Sequence, residues 1–337
     1  MNELYGAPLV EVTRGKLAES VHSVAACAID KTGDVVFALG EIDTPVFLRS
    51  SAKPFIAATA LKYGAAERYG LDQRELAVMA GSHSGEPYHI AAVRSILEKI
   101  GLPESALQCG AHAPYNIAAA LALERCGEPF TAVHNNCSGK HAGILALCLL
   151  LGSDIATYMD IENPAQQAIL HFCARLTGDD ARTWPLGIDG CGIPVFATPL
   201  RRAALAFMRF ATLHEVDPSD ASALRMVRDA MIAAPLYVSG TGEFDAALMH
   251  AGAGEIACKA GAEGVECVSA LTAGVGLALK VIDGTKRAVA PATMAALDGL
   301  GVLDPSALVA LERFARPELR NRAGRVVGEI RARRAIP

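Results

Sequence analysis

The sequence contains no run of apolar residues long enough to cross a lipid bilayer. Its longest such run covers residues 142–151, whereas a membrane-spanning helix needs about 20 residues. A basic block is also lacking, because 31 Lys and Arg are set against 36 Asp and Glu, with a formal net charge of −5 and a pI near 6.0. Nucleic-acid binding needs clustered cations that neutralise phosphates. We therefore expect no membrane segment and no nucleic-acid partner.

An export signal is not recognisable either. The first residues, Met1 to Tyr5, show neither the basic nor the apolar segment of a secretory signal peptide. Nine cysteines are present, and an odd number in a chain of 337 residues does not suggest a disulfide framework. We therefore expect a cytoplasmic protein with free thiols, one or two of which take part in chemistry.

Strand patterns occupy both ends of the chain, and helical patterns occupy the middle. The predicted strands cover 9–12, 20–29, 35–39, 236–238, 255–258, 265–268, 277–281 and 325–330. This order predicts an α/β (α+β) fold, with one sheet made from both chain ends and an inserted helical region. The predicted sheet domain is 1–60 with 235–337, and the mainly helical domain is 61–234. We expect the active site in the cleft between them.

Ser50 and Lys53 are the first candidate catalytic residues. They follow a strand-like run at 45–48 and begin a predicted helix, which places hydroxyl and amine on one face. A serine hydroxyl beside an amine that can take its proton is the minimum apparatus for a serine nucleophile. The motif is short, so the alternative to a catalytic pair is a serine that caps the helix N-terminus and a lysine that is exposed to solvent. Ser51 could be the capping serine in place of Ser50.

Ser82 and Lys259 form a second candidate pair. Ser82 lies in the glycine-bounded loop 81–86, and Lys259 begins the glycine-rich stretch 259–264. Taken singly, each is more often a turn serine or a strand-end lysine. The order Ser-x-x-Lys, then Ser, then Lys-x-Gly is typical of serine penicillin-recognising enzymes, which favours catalytic roles. The turn 239–242, with Gly240 and Thr241, is interpreted as substrate-facing.

Cys137, Lys140 and Cys191 are candidates for a metal site. Cys137 stands at a predicted helix N-terminus, where the helix dipole favours a thiolate, and Cys191 lies in a glycine-rich turn. Two sulfurs could hold zinc, which usually takes four ligands. The histidines that could complete such a set are His83, His134 and His141. Two ordinary buried cysteines, or a nucleophilic Cys137–His141 pair, are the alternatives.

Together these segments resemble the rhizobial-type (class 3, asparaginase II family) L-asparaginases. The motifs that carry the resemblance are 11–15 with 19–20, 49–55, 81–86 with 89, 109–114, 135–143, 189–194, 239–242, 259–264, 283–284 and 287–288. The resemblance implies a fold similar to serine β-lactamases and penicillin-binding proteins, usually as a homodimer. It also implies hydrolysis of L-asparagine to L-aspartate and ammonia.

The resemblance assigns roles to individual positions. Ser50 with Lys53, and Ser82 with Lys259, look like the two Ser-Lys pairs of the family. Cys137, Lys140 and Cys191 look like its Zn2+ ligands, with water completing the set and the lysine bound as a neutral amine. Positions near the pocket or behind it are Arg49, His83, His141, Asp189, Gly240 and Thr241. The chain departs from the family pattern at Ile56, where glutamine is common, and at Asn163, where histidine is more usual.

The resulting hypothesis is an asparaginase in which Ser50 attacks the carboxamide of L-asparagine and Lys53 acts as the base. One rival is a cytosolic serine esterase or β-lactamase-like hydrolase that uses the same Ser-x-x-Lys site. The other is a protein that binds zinc or an amino acid without catalysis. Ammonia release from L-asparagine distinguishes these hypotheses.

Overall fold

The structure, a computed structural model, describes residues 5–333, so residues 1–4 of the segment tested for an export signal lie outside it. The described chain divides into two compact units. The first, here called the sheet unit, contains the chain up to Ser51, Thr198–Thr212, and the chain from Ala247 onward. The second, the helical unit, contains Ala52–Ala197 and Leu213–Ala246.

Strands make up the core of the sheet unit. The strands of the described chain are β1 (Ala7–Arg14), β2 (Leu17–Ile29), β3 (Val35–Leu39), β4 (Pro45–Phe47), β5 (Leu186–Ile188), β6 (Pro194–Pro199), β7 (Ile256–Gly261), β8 (Val265–Ala270), β9 (Val275–Val281), β10 (Glu318–Arg320) and β11 (Val326–Ala332). Eight of them form one sheet in the order β10-β11-β1-β2-β9-β8-β7, with β3 paired to β2. All pairings in it are antiparallel. The prediction of one sheet built from both chain ends is confirmed.

Helices make up most of the helical unit, and within the sheet unit helices such as α8 pack on the sheet. They are α1 (Lys53–Lys62), α2 (Ala65–Tyr69), α3 (Gln73–Met79), α4 (Pro87–Lys99), α5 (Ile117–Cys126), α6 (Ser138–Leu151), α7 (Pro164–Thr177), α8 (Leu200–Thr212), α9 (Pro218–Ala233), α10 (Pro235–Val238), α11 (Phe244–Ala251), α12 (Val289–Gly299), α13 (Pro305–Ala310) and α14 (Glu312–Ala315). No helix of the described residues is both long and apolar enough to cross a membrane.

Helix α8 belongs to the sheet unit, although the sequence prediction placed it in the helical domain 61–234. A Cβ added at Gly276 of β9 would lie 2.1 Å from the Met208 nitrogen and 2.2 Å from the Ala204 oxygen. The α8 backbone therefore rests directly on the strand, which only glycine permits. The other boundaries also differ, since α1 and residues 235–246 fall in the helical unit.

Helix α6 forms the centre of the helical unit and is buried from Ser138 to Cys148. Small residues let α3 pack closely on it. A Cβ at Gly139 would lie 2.3 Å from the Val78 oxygen, and one at Gly143 would lie 2.8 Å from the Met79 Cε. This packing fixes the loop that follows α3 against the turn that precedes α6. Both of these segments carry candidate site residues.

The strand predicted at 236–238 is wrong, because these residues lie in the single turn α10. Pro235 stands in its first turn, where the fixed φ of proline suits a helix and its missing N–H is not needed. A run of three apolar residues does not distinguish a strand from a helical turn. The Val238 oxygen at the end of α10 accepts a hydrogen bond from the Ser82 nitrogen at 2.7 Å.

Candidate active site

Ser50 lies in a short 3₁₀ helix, Arg49–Ala52, that ends directly before α1. The neighbouring Ser51 is fully buried, and its hydroxyl donates to the backbone oxygen of Lys259 at 3.0 Å. Its nitrogen donates to the Leu48 oxygen, also at 3.0 Å. Ser51 therefore holds this turn against strand β7. Of the two serines that the sequence left open, Ser51 is the structural one.

Lys259 is fully buried within β7, opposite Cys267 of β8, and its Nζ donates to the Ala260 oxygen at 2.8 Å. Lys259 was predicted at the end of a strand, but β7 continues for two more residues, to Gly261. A Cβ at Gly261 would lie 2.6 Å from the Leu48 oxygen and 2.8 Å from the Ser51 Oγ. The glycine of the Lys-x-Gly motif thus allows the Ser50 turn to approach β7.

Arg49 has a φ of 52°, in the left-handed region. This conformation costs a residue with a side chain about 1–2 kcal/mol, and such strain is often found at functional sites. The strained residue immediately precedes Ser50 and sets the direction in which the 3₁₀ helix starts. No pattern in the sequence indicates this conformation, since arginine is not a residue that favours left-handed turns.

Lys53 and Ser82 form a buried pair within the helical unit. The Lys53 Nζ lies 2.9 Å from the Ser82 Oγ, 2.7 Å from the Gly81 oxygen and 3.4 Å from the Asn136 oxygen, and Lys53 is 1% exposed. A neutral amine has two N–H groups and one lone pair. It can donate to both carbonyls and accept the hydroxyl proton of Ser82. The prediction paired Ser82 with Lys259 and did not foresee this contact.

His83 connects the Ser82 loop to the start of α6. The Gly85 nitrogen donates to its Nδ1 at 3.2 Å, so the Nε2 carries the proton and donates to the Ser138 Oγ at 2.8 Å. Ser138 in turn donates to the Val133 oxygen at 2.8 Å. Burial, with a smaller contribution from His89, holds the pKa of His83 well below its usual value. His83 is therefore a neutral residue that positions the loop.

Glu86 closes the same loop and fixes the turn that contains Gly240 and Thr241. Its Oε2 accepts hydrogen bonds from the Ser84 Oγ at 2.7 Å, the Tyr88 hydroxyl at 2.8 Å and the Thr241 nitrogen at 3.0 Å. Burial raises the pKa of Glu86, but these hydrogen bonds outweigh burial and bring the pKa to about 2. The motif 81–86 contains Glu86, but no sequence pattern predicted this role for it.

Gly240 has a φ of 134°, and a Cβ there would lie 2.1 Å from the Ser84 Oγ. Both the backbone conformation and the contact therefore require glycine. The turn predicted to face substrate thus packs against the loop that carries Ser82.

Cys137, Lys140, Asp189 and Cys191 form a buried cluster in the helical unit. One ligand atom from each of Cys137, Asp189 and Cys191 lies within 4.8 Å of the others. The Lys140 Nζ lies 2.9 Å from the Cys191 Sγ and 3.9 Å from an oxygen of Asp189. Cys137 is the N-cap of α6, as the sequence predicted, although it makes no side-chain capping hydrogen bond.

Lys140 offsets the charge of one thiolate in this cluster. A hydrogen bond from Cys191 and the nearby Lys140 hold the pKa of the Cys137 thiol well below its usual value. Burial lowers the pKa of Lys140, but Cys137 and Cys191 outweigh it, and the net pKa is raised. Two soft sulfurs and an amine that becomes a ligand on losing a proton suit Zn2+. The donor set therefore fits the predicted ion.

His141 lies beside this cluster on α6. Its Nδ1 is 2.6 Å from the Tyr158 hydroxyl, and the two rings meet edge-on with centroids 5.5 Å apart. Its buried Nε2 has no hydrogen-bond partner among residues 5–333. Burial holds the pKa of His141 well below its usual value. The ring is therefore neutral, and its hydrogen bond is with Tyr158, which does not support the alternative of a nucleophilic Cys137–His141 pair.

Fold and site together define a mixed α/β protein with a buried serine–lysine contact and a thiol–amine cluster. The model of the family described as L-asparaginase II matches residues 10–332, nearly the whole chain. The chain belongs to the L-asparaginase II family. No curated protein matches the sequence.

Several solved structures are similar at low identity. A crystal structure of Mglu in its native form is 14% identical with a TM-score of 0.39, and the match covers 85% of this chain and 63% of that one. A second Mglu structure is 15% identical with a TM-score of 0.38, covering 86% and 70%. A putative beta-lactamase from Bacteroides dorei DSM 17855 is 14% identical with a TM-score of 0.38, covering 77% and 85%. The match thus spans less than two thirds of the first Mglu chain.

Proposed function

We propose that this chain hydrolyses L-asparagine to L-aspartate and ammonia. Membership of the L-asparaginase II family supports amide hydrolysis. The observation that carries the proposal is the 2.9 Å contact between the Lys53 Nζ and the Ser82 Oγ, on a lysine that directly follows the Ser50 turn. An amine in contact with a serine hydroxyl can move a proton to and from it.

In the proposed mechanism, the Ser50 Oγ attacks the side-chain carboxamide carbon and passes its proton to neutral Lys53. The C–N bond then breaks, and the departing nitrogen takes a proton supplied through Ser82. Lys259 is the proposed lysine of this second serine–lysine pair. The product of this step is an aspartyl ester on Ser50 and free ammonia. A water molecule, losing its proton to Lys53, hydrolyses the ester and restores Ser50. The proposal requires all four side chains to act on one substrate.

Cys137, Lys140 and Cys191 are the proposed holders of Zn2+. When bound, the ion would supply a fixed positive centre that joins the start of α6 to the turn containing Cys191. Lys140 would then bind as the neutral amine. The role of these residues in the proposal is to order the segment that includes Asn136, whose oxygen faces the Lys53 amine.

We also propose a homodimer in the cytoplasm. The homodimer rests on the family resemblance, and mass determination in solution tests it. All nine cysteines are free thiols, which supports a reducing compartment.

Ammonia release from L-asparagine, compared with L-glutamine, tests the function. Ser50→Ala and Lys53→Met are expected to lower kcat by at least about 10³-fold, as loss of a nucleophile or its base does elsewhere. Ser306→Ala, at an exposed serine, is the matched control and should retain wild-type kcat. Hydrolysis of nitrocefin or simple esters without ammonia release would favour the β-lactamase-like or esterase function instead.

Trapping the covalent intermediate tests the assignment of the nucleophile. Rapid acid quenching during turnover, followed by intact-mass and peptide analysis, should locate the aspartyl group on Ser50. An adduct on Ser82 alone would overturn the assignment. A Ser50→Ala variant with unchanged turnover would overturn the mechanism.

A further inference from the structure

Glu86 has a buried carboxylate that no cationic side chain neutralises. It is 9% exposed, and no Lys, Arg or His nitrogen of residues 5–333 lies within 4.0 Å of its oxygens. Other buried carboxylates of the same unit do have such partners. Glu75 lies 2.6 Å from the Lys99 Nζ, and Asp220 lies 2.7 Å from the Arg175 Nε. Hydrogen bonds keep the Glu86 carboxylate ionised, so it presents a negative charge that a cation from outside the chain can balance.

The two oxygens of Glu86 differ sharply in their surroundings. Oε2 accepts all three hydrogen bonds of the carboxylate, from Ser84, Tyr88 and Thr241. None of these three bonds goes to Oε1. Three donors on one oxygen fix the plane of the carboxylate. The other oxygen is thereby held in a fixed position, where it can accept a hydrogen bond from a ligand.

Glu86 is the N-cap of α4, whose amino end adds only a partial positive charge. Tyr88 is a neutral donor, and burial lowers the pKa of His89, which faces the backbone of Glu86, to about 4. The same surroundings do not suit a metal ion, because Ca2+ and Mg2+ need six or more oxygen ligands and one carboxylate oxygen is available here. A small organic cation with N–H donors is the ligand that fits.

Position in the chain indicates which cation this is. Glu86 lies four residues after Ser82, on the loop whose serine contacts Lys53. L-Asparagine carries an α-ammonium group a few bonds from the carboxamide that reacts. We propose that the Oε1 of Glu86 binds the α-ammonium group of the substrate, so that the enzyme selects amides of α-amino acids over amides that lack an amino group. This inference rests on the proposed amide hydrolysis.

The test compares L-asparagine with succinamic acid, which has the same carboxamide and carboxylate but no α-amino group. The wild type should prefer L-asparagine by about 10²-fold or more in kcat/KM, because a charge-assisted contact is lost with the analogue. Glu86→Gln keeps an oxygen to accept the three hydrogen bonds and removes the charge. It should lose about 10²-fold in kcat/KM for L-asparagine, mainly through KM, and less than about 3-fold for succinamic acid.

Two further variants separate recognition from structure. Ser84→Ala removes one of the three donors but keeps the charge, so it should preserve most of the preference for L-asparagine. Glu104→Gln, at a partly buried carboxylate that pairs with Arg94, should leave both substrates unaffected. Equal losses on both substrates in Glu86→Gln would overturn the inference and make Glu86 a structural residue. A wild type that releases no ammonia from any amide would instead overturn the proposed function.

The same proposal can be checked without turnover. Calorimetric titration with L-aspartate, the product, and with succinate, which lacks the amino group, gives the contribution of the ammonium directly. Binding of L-aspartate should weaken about 10²-fold in Glu86→Gln, while binding of succinate should not weaken. If the preference for L-aspartate persists in Glu86→Gln, another residue recognises the amino group and the inference is wrong.

Discussion

Replacement of Gly261 by alanine should impair the proposed reaction far more than it impairs folding. The new Cβ would lie 2.6 Å from the Leu48 oxygen and 2.8 Å from the Ser51 Oγ, both on the segment that leads to Ser50. Ordinary carbon–oxygen contacts are several tenths of an ångström longer, so the turn must shift away from β7. Overpacking of this kind costs about 1–3 kcal/mol, part of which the lower entropy of the unfolded alanine chain offsets.

A shift of the turn moves the Ser50 hydroxyl, and a misplacement of about 1 Å at a reacting group can cost 10²-fold in rate. We therefore expect Gly261→Ala to lower kcat for L-asparagine by about 10- to 10²-fold. The net destabilisation of about 1–2 kcal/mol should lower Tm by only a few degrees. Steady-state ammonia release and thermal denaturation of the same preparation measure the two effects.

Gly6→Ala is the matched control. A Cβ at Gly6 would lie 2.5 Å from the Ile282 Cγ1 and 2.8 Å from the Val24 nitrogen, which is similar crowding elsewhere in the sheet unit. This variant should lose comparable stability and keep its kcat. If Gly6→Ala and Gly261→Ala lose activity equally, or if Gly261→Ala loses only stability, the reasoning that the Lys-x-Gly glycine positions Ser50 is refuted.

Two other perturbations follow from buried groups of the helical unit. Zinc-loaded wild type should contain one zinc ion per chain by elemental analysis and lose several degrees in Tm on dialysis against a chelator, whereas Cys191→Ser should bind none and show no such change. His89 has a pKa of about 4 in the folded chain, against 6.5 in the unfolded chain. Between these pH values the unfolded state binds more protons than the folded state. The free energy of unfolding therefore falls as the pH drops from 7 to 4. Urea denaturation should show up to about 3 kcal/mol less stability at pH 4 from this residue, a loss that His89→Gln removes.

Local patterns were enough to predict much of the fold. The sequence Asp72-Gln73-Arg74-Glu75 predicts a capping box at the start of a helix, and the structure confirms it. The Asp72 carboxylate accepts from the Glu75 nitrogen at 2.9 Å, and the Glu75 carboxylate accepts from the Asp72 nitrogen at 2.7 Å. The helical pattern of residues 117–126 predicts a helix with these bounds, and they are the bounds of α5. Both features depend on side chains within a few residues of each other, which the sequence displays directly.

Features that depend on distant segments were not predictable. The sequence shows that Lys53 and Ser82 are present, but their contact depends on the loop after α3, which the Val238 oxygen holds in place. The assignment of α8 to the sheet depends on the glycine at 276, whose partner on the helix is nearly 70 positions earlier in the chain. Such pairs are set by packing, which a single sequence does not specify.

The hydrogen bonds of the histidines near Ser82 bear on which residue can act as the base. His83 uses both ring nitrogens, since Gly85 donates to its Nδ1 and its Nε2 donates to Ser138. A second proton on the ring would face the Gly85 N–H, so His83 can accept one only by breaking the loop.

His89 is used in the same way. The backbone nitrogen of Glu86 donates to the His89 Nδ1 at 3.2 Å, and the His89 Nε2 donates to the Leu236 oxygen at 2.9 Å. His83 and His89, which both follow Ser82 in the sequence, therefore use both ring nitrogens in hydrogen bonds that hold the loop. The group in contact with the Ser82 hydroxyl that is chemically able to exchange a proton with it is the amine of Lys53, which is why we favour serine–lysine over serine–histidine chemistry at this site.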